Sequence, residues 1–150
     1  MRSTRRSLAL VLALALAAPA AVLSACRSPA DARDRCARCG MKIANGSLFA
    51  AELRADDGQT LRFDALRCAL AARLDGRPTA TLHVHEYYDG RVREVDDSIV
   101  FALGSDVMGP MGSDLVPVAK AQMTKFAADH GAKRFVLLRE IDTAILTQIP

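Results

Sequence analysis

The sulfur-bearing residues of this chain gather in two places. Cys36-Ala-Arg-Cys39-Gly-Met41 sets two thiols and a thioether close together, with a glycine that lets the backbone turn tightly among them. Met108-Gly109-Pro110-Met111-Gly112 is a second methionine segment far downstream. Thiolates and thioethers are soft ligands, and soft ligands select Cu(I) over hard cations. If the two segments meet, Cys39, Met41 and Met111, with Cys36 beside them, make a soft metal site. Met111 stands between Pro110 and Gly112 in a stretch without apolar periodicity, a setting that presents a side chain rather than burying it. Met108 is open to two readings, spare ligand or packing. Met123 falls on the apolar face of a helical segment and reads as core filler.

Other chemistries compete for the same residues. A Cys-x-x-Cys pair can close a local disulfide, supply half of a zinc site or exchange thiols. Structural zinc wants four ligands, often from two such pairs; here there is one pair, and Cys68 stands alone. A thiol–disulfide exchanger opens a helix with its pair beside a βαβ unit, and nothing before Cys36 resembles the required strand. His83 and His85, two apart on a strand, face the same way. They either bind Cu(II) or Zn(II) or belong to a solvated or packed strand face. His130, near a helix C-terminus, reads as a cap favoured by the helix dipole. No nucleophile-plus-base arrangement and no phosphate loop stands out, so an enzyme is not indicated.

The N-terminus reads as an address. Arg2, Arg5 and Arg6 precede an apolar run from Leu8 to Val22, then Leu23-Ser24-Ala25-Cys26. That is the layout of a secretory signal, too short for a comfortable membrane span. Its small residues before a cysteine resemble a bacterial lipobox. Cleavage would leave Cys26 first in the mature chain, lipidated and anchored in a membrane leaflet. The net charge of +3 comes from this segment, because residues 1–25 carry three arginines and no acid. The remainder is neutral, which gives no basic surface for nucleic acid. Once Cys26 is set aside, Cys36, Cys39 and Cys68 remain, an odd number for a disulfide scaffold. A free thiol kept outside the cytoplasm points to metal or redox work.

A polar tether over residues 26–35 leads into one small domain, 36–150, with halves at about 36–95 and 96–150. Leu48–Leu53 and Thr60–Phe63 predict a hairpin turned by Asp56-Asp57-Gly58. Asp64 reads as the N-cap of a helix over Ala65–Leu74. Leu66, Leu70 and Leu74 would line its inner side, with Cys68 on the opposite, alanine-rich side. Thr79–Tyr88 predicts a strand ending in an Asp89-Gly90 turn. Ile99–Leu103 and Leu115–Val118 predict two more strands, the second at a sheet edge because Pro117 cannot donate to a ladder. Ala119–His130 predicts a helix with Met123, Phe126 and Ala127 inward and Gly131 ending it. Phe135–Leu138 follows as a strand, and Glu140–Thr147 as a short last helix or tail. Turns this short exclude an all-parallel sheet. The expected class is α+β, with strand–strand–helix–strand occurring twice.

In this arrangement the chain resembles the NosL family, accessory lipoproteins of nitrous oxide reductase assembly. The resemblance rests on the lipobox at Cys26, on Cys36 with Cys39-Gly40-Met41, on Phe63-Asp64 followed by Cys68, and on Pro110-Met111-Gly112 followed by a helix ending in His130-Gly131. It implies two packed ββαβ units and Cu(I) as the bound metal, with ligands falling on Cys39, Met41 and Met111. It also implies nitrous oxide reductase as client, an ABC-type membrane transporter as a further partner, and a lipid-anchored place in the bacterial envelope facing the periplasm. The chain departs from the family pattern at Ala65, where a second aspartate is usual, and at Gly109, where threonine is common. The His83/His85 pair has no place in that pattern.

Overall fold

Alternation of apolar side chains builds the first sheet. The computed structural model describes residues 34–149. The expected signal peptide, Cys26 and the tether up to residue 33 lie outside the described residues. Strand β1 (Ala51–Arg54) and β2 (Thr60–Phe63) form an antiparallel hairpin, with Leu53 opposite Leu61. Gly58 takes a φ of 82° at the turn, where a Cβ would be strained. Strand β3 (Thr81–His85) pairs with the other edge of β1, and β4 (Val92–Glu94) pairs with β3. The order is β2-β1-β3-β4. Ala51, Leu53, Phe63, Leu82 and Val84 are buried from this sheet and pack with Leu66, Ala69 and Leu70 of helix α1 (Leu66–Gly76).

The second unit repeats the plan. Strand β5 (Ile99–Leu103) is followed by a small ribbon, β6 (Met108–Gly109) and β7 (Gly112–Ser113), then by β8 (Val116–Ala119), α2 (Met123–His130) and β9 (Arg134–Val136). The sheet order β8-β5-β9 places the first strand of the unit centrally, as β1 sits between β2 and β3. Strand β5 is buried on both faces. Ile99 and Phe101 join the core of the first unit, while Val100 and Ala102 pack with Val116, Val118 and Phe126 on the other side. A last helix, α3 (Thr143–Thr147), is capped by Asp142, which accepts from the Ile145 N–H at 2.9 Å. Its Ile145 joins the first core.

The two sheets are tied through one buried carboxylate. Glu86 is 2% exposed and follows β3 directly. One of its oxygens accepts the N–H groups of Tyr88 and Asp89 at 2.9 and 2.8 Å, fixing the turn. The other accepts the N–H of Ala119 at the end of β8, at 3.0 Å. Beside it the Tyr87 N–H donates to Pro117 carbonyl oxygen at 2.9 Å. The free edge of β8 is thereby covered, as an edge strand needs to be.

Several local expectations change. Ala65, not Asp64, holds the N-cap position of α1, and no side chain caps it. The inner side of α1 includes Cys68, 4% exposed, whereas Leu74 is 39% exposed. Helix α1 has sheet on one side and the chain's sulfur-bearing loops near its start, so its first turns are buried broadly and its last turn is not. The expected strand at Thr79–Tyr88 is shorter, since Glu86 takes its residues into a turn, and β4 was not foreseen. The methionine loop is an ordered ribbon with Met111 at its tip. Lys120–Gln122 form a 3-10 turn before α2. Gly131 ends α2 at φ 65°, as expected.

The Glu86 link predicts a large local contribution to stability. Glu86→Ala should lower the unfolding free energy by about 3 kcal/mol or more, because it strands buried N–H donors. Glu86→Gln should fall between, since it keeps one acceptor oxygen. Urea-unfolding midpoints of the three proteins measure this.

Candidate metal centre

Three separate pieces of chain converge where β2 runs into α1. The first is the Cys36–Met41 loop. The Cys36 N–H donates to the Met41 carbonyl at 2.7 Å, and the Gly40 N–H donates to the Cys36 carbonyl at 2.9 Å. Gly40 sits at φ 77°, which a side chain would resist. The Ala37 N–H donates to the Arg62 carbonyl of β2 at 2.8 Å, docking the loop on the sheet edge. Asp34 and Arg35 belong to the same paired backbone, through Ile43 N–H to Asp34 carbonyl and an Arg35–Lys42 bridge.

The second piece is the β2–α1 junction itself. Phe63 is fully buried and anchors it; Asp64 and Cys68 follow, one turn of helix apart. Cys36, Cys39 and Cys68 are free thiols. One ligand atom from each of Cys36, Cys39, Asp64 and Cys68 lies within 4.8 Å of all the others. The Cys39 thiol donates to Asp64 Oδ1 at 3.4 Å. Asp64 Oδ2 is buried with no hydrogen-bond partner, an expensive state that a bound cation would relieve.

The third piece is the ribbon. Met111 Sδ lies 3.7 Å from Cys68 Sγ. The two sulfur segments, remote in sequence, therefore meet, and Cys68 is where they meet. Met41, on the Cys36 loop, is 41% exposed, and Met111 is 40% exposed. Met108 points outward at 62% exposure, its sulfur 3.8 Å from Ser113 Oγ.

Burial raises the Cys39 thiol pKa, with the Met41 backbone N–H opposing. Burial, and then the neighbouring Cys36 and Cys39 sulfurs, push the Cys68 thiol far above the ordinary range. Both thiols hold their protons at neutral pH, so a metal entering here must displace them. Elevated thiols are also poor attacking nucleophiles, which need a lowered pKa.

The histidines are elsewhere. His83 is 9% exposed on the face of β3 away from the core, 3.7 Å from Glu94, and His85 Nδ1 lies 3.0 Å from the Gly90 carbonyl oxygen. His130 bridges Tyr87 hydroxyl and Asp106 carboxylate, each at 2.9 Å. Sequence reasoning passed over Asp64 and Cys68 as site residues. No helical period marks the two as a pair, because Asp64 lies before the N-cap residue Ala65 and outside the helix. Sequence reasoning also missed Asp114, which is 5% exposed. Asp114 Oδ1 accepts the N–H groups of Arg67 and Leu115, at 3.2 and 2.8 Å, while its Oδ2 has no partner.

The chain belongs to the NosL family, whose model matches residues 28–146. A crystal structure described as the copper chaperone NosL from Shewanella denitrificans is similar to it, with a TM-score of 0.58 and 20% identity. That similarity covers 78% of this chain and 96% of the other. No curated protein matches the chain. The α+β fold with two antiparallel units is thus the fold of a NosL protein. No helix among the described residues is long and apolar enough to cross a membrane.

Asp114 gives the stability of this region a pH dependence. Burial raises its pKa from 3.8 to about 6, against the Leu115 N–H and the Arg67 charge. Between those values the fold keeps a proton that the unfolded chain has lost, so this group makes stability fall as pH rises through the window. Asp114→Asn cannot ionise. Its stability relative to the parent should rise by about 2–3 kcal/mol between pH 4 and pH 7, read from urea unfolding across that range.

Proposed function

We propose that this protein carries Cu(I) outside the cytoplasm, held at a membrane by a lipid on Cys26, and delivers it for the maturation of nitrous oxide reductase. The observation that carries the reading is the meeting of Met111 Sδ with Cys68 Sγ beside the Cys36/Cys39/Asp64 cluster. Family membership and a fold shared with a protein described as a copper chaperone support it. An ABC-type membrane transporter is the partner beside which the anchor would hold the carrier.

The donor set suits cargo rather than a permanent cofactor. Thiolates supply affinity, and each must release a proton to bind. The thioether is neutral and binds more weakly. Cys36 and Cys68 are buried, whereas Cys39, Met41 and Met111 reach solvent. An acceptor's ligands can therefore replace the outer sulfurs one at a time while an inner thiolate still holds the ion. Nothing in this sequence of steps makes or breaks a covalent bond of a substrate, so the protein acts as a carrier, not an enzyme.

Three thiols and one carboxylate also match the ligand count that Zn(II) favours. Met111 separates the two metals, because a thioether contributes to Cu(I) and little to Zn(II). A thiol–disulfide exchanger using Cys36 and Cys39 is the enzymatic rival, and the position of the pair in a turn before β1, rather than at the start of a helix, argues against it. A purely structural lipoprotein would leave Met111→Leu without effect on any metal property.

Anaerobic Cu(I) titration against a colorimetric competitor tests the site. Cys39→Ala, Cys68→Ala and Met111→Ala should each weaken binding by about tenfold or more, with Zn(II) affinity unchanged in Met111→Ala. Parent affinity in both Cys39→Ala and Met111→Ala would overturn the reading. Insulin reduction that is lost in Cys36→Ser would favour the exchanger instead.

A further inference from the structure

The ribbon that carries Met111 does not reach Cys68 by its own stiffness. It has only two paired positions, Met108 with Ser113 and Gly109 with Gly112. A two-stranded ribbon of that length is not stable by itself. Something outside it must hold the tip in place. The contacts that do so lead to two residues, Arg67 and Asp114.

Arg67 precedes Cys68 in the first turn of α1. Its backbone N–H donates to Asp114 Oδ1 at 3.2 Å, and its guanidinium donates to the Ser113 carbonyl. Arg67 thus grips the returning arm of the ribbon at two successive residues. Asp114 in turn lies beneath the outgoing arm. A Cβ on Gly109 would come within 3.4 Å of Asp114 Cβ and 3.5 Å of its Oδ2, with Phe49 at 3.4 Å on another side. Both arms are therefore seated on one buried carboxyl group, which is also tied to the backbone of the residue adjoining Cys68.

We infer that Arg67 and Asp114 are positioning residues that clamp the Met111 ribbon to the start of α1 and so set the Met111–Cys68 separation on which metal binding depends. This inference rests on the metal-carrier reading above. Neither residue offers a ligand atom in the proposed role; each acts through the ribbon. Ligand sulfurs that are held in advance lose less freedom when the metal arrives. Loosening the clamp would cost affinity by freeing Met111, not by removing a donor.

The test pairs a metal readout with one that needs no metal. In the metal-free protein, the order and chemical shift of the 13C-labelled Met111 methyl group are measured by NMR for the parent, Asp114→Ala, Asp114→Asn and Arg67→Lys. Asparagine keeps the Oδ1 acceptor used by both N–H donors, whereas alanine removes it. Lysine at 67 keeps the charge and the backbone N–H but loses the guanidinium contact to Ser113. Cu(I) affinity is then measured for the parent, Asp114→Ala, Asp114→Asn and Arg67→Lys, each with Met111 in place and in the Met111→Leu background.

Asp114→Ala should mobilise the Met111 methyl and weaken Cu(I) about tenfold, with no further loss when Met111 is already leucine. Arg67→Lys should show the same effects in smaller degree, and Asp114→Asn should stay within about twofold of the parent in affinity. An unmoved Met111 methyl in both Asp114→Ala and Arg67→Lys overturns the clamp. So does a loss of affinity that is equal in the two backgrounds. If Asp114→Ala does not fold, Arg67→Lys alone decides between these outcomes. Failure of the parent to bind Cu(I) would sink the carrier reading, and the methyl measurement would still decide whether the clamp exists.

Discussion

The β2–α1 junction is the constraint on which the site depends. Phe63 is buried without exposure and locks the end of the sheet. Asp64 and Cys68 are carried on either side of the turn that follows it. The Cys36 loop docks on the neighbouring backbone through the Arg62 carbonyl, and the methionine ribbon docks through Arg67. Neither loop has extensive pairing of its own. Each takes its position from the junction, so the sulfurs meet because two loops share one support. The support is stiff because it belongs to the larger core, where β1, β2, β3 and α1 pack together.

That support holds groups that are costly to bury. Asp64, Glu86 and Asp114 are all under a tenth exposed, and the fold treats them differently. Glu86 spends both oxygens on backbone N–H groups and joins the two sheets. Asp64 and Asp114 each keep one buried oxygen without a partner. A fully satisfied carboxylate is a structural tie, whereas a half-satisfied one keeps capacity for a further partner. The half-satisfied pair lies beside the sulfurs and the ribbon, and the satisfied one lies away from them. The unmet oxygens of Asp64 and Asp114 thus add to what the cysteines indicate, although His83 Nδ1 and Ser105 Oγ are also buried without a partner.

The repeated unit shows where the methionine ribbon comes from. In both halves the first strand is central, with the second and third on either side. The connection between first and second strands is a short Asp56-Asp57-Gly58 turn in one half. In the other it is extended into the Met111 ribbon. Strand β5 serves both cores because its two faces are apolar, which presses the second sheet against the first unit. The same arrangement brings the ribbon over α1 of the other half, so the site is formed between units.

The amino-acid sequence by itself determined most of the elements, but neither β4 nor the pairing of the Met111 ribbon. Period-two alternation at Ala51–Leu53, the Asp-Gly turns, Pro117 at an edge and the left-handed Gly131 stop are local matters, settled by backbone sterics and side-chain branching. Cys36, Cys39, Met41 and Met111 read as a candidate soft set from their types and spacing; in the fold Cys36 and Cys39 lie beside Asp64 and Cys68, and Met111 touches Cys68. Which side of α1 faces inward was not legible, because alanine and leucine line that helix nearly all round and only the docked loops define its buried side. For the same reason Cys68 and Asp64 emerged as partners of those sulfurs only in three dimensions. Asp114 has no local signature, since an acid between Ser113 and Leu115 looks like any loop residue. Its importance comes from contacts with Arg67 and Gly109, and such contacts depend on which distant segments the core brings together.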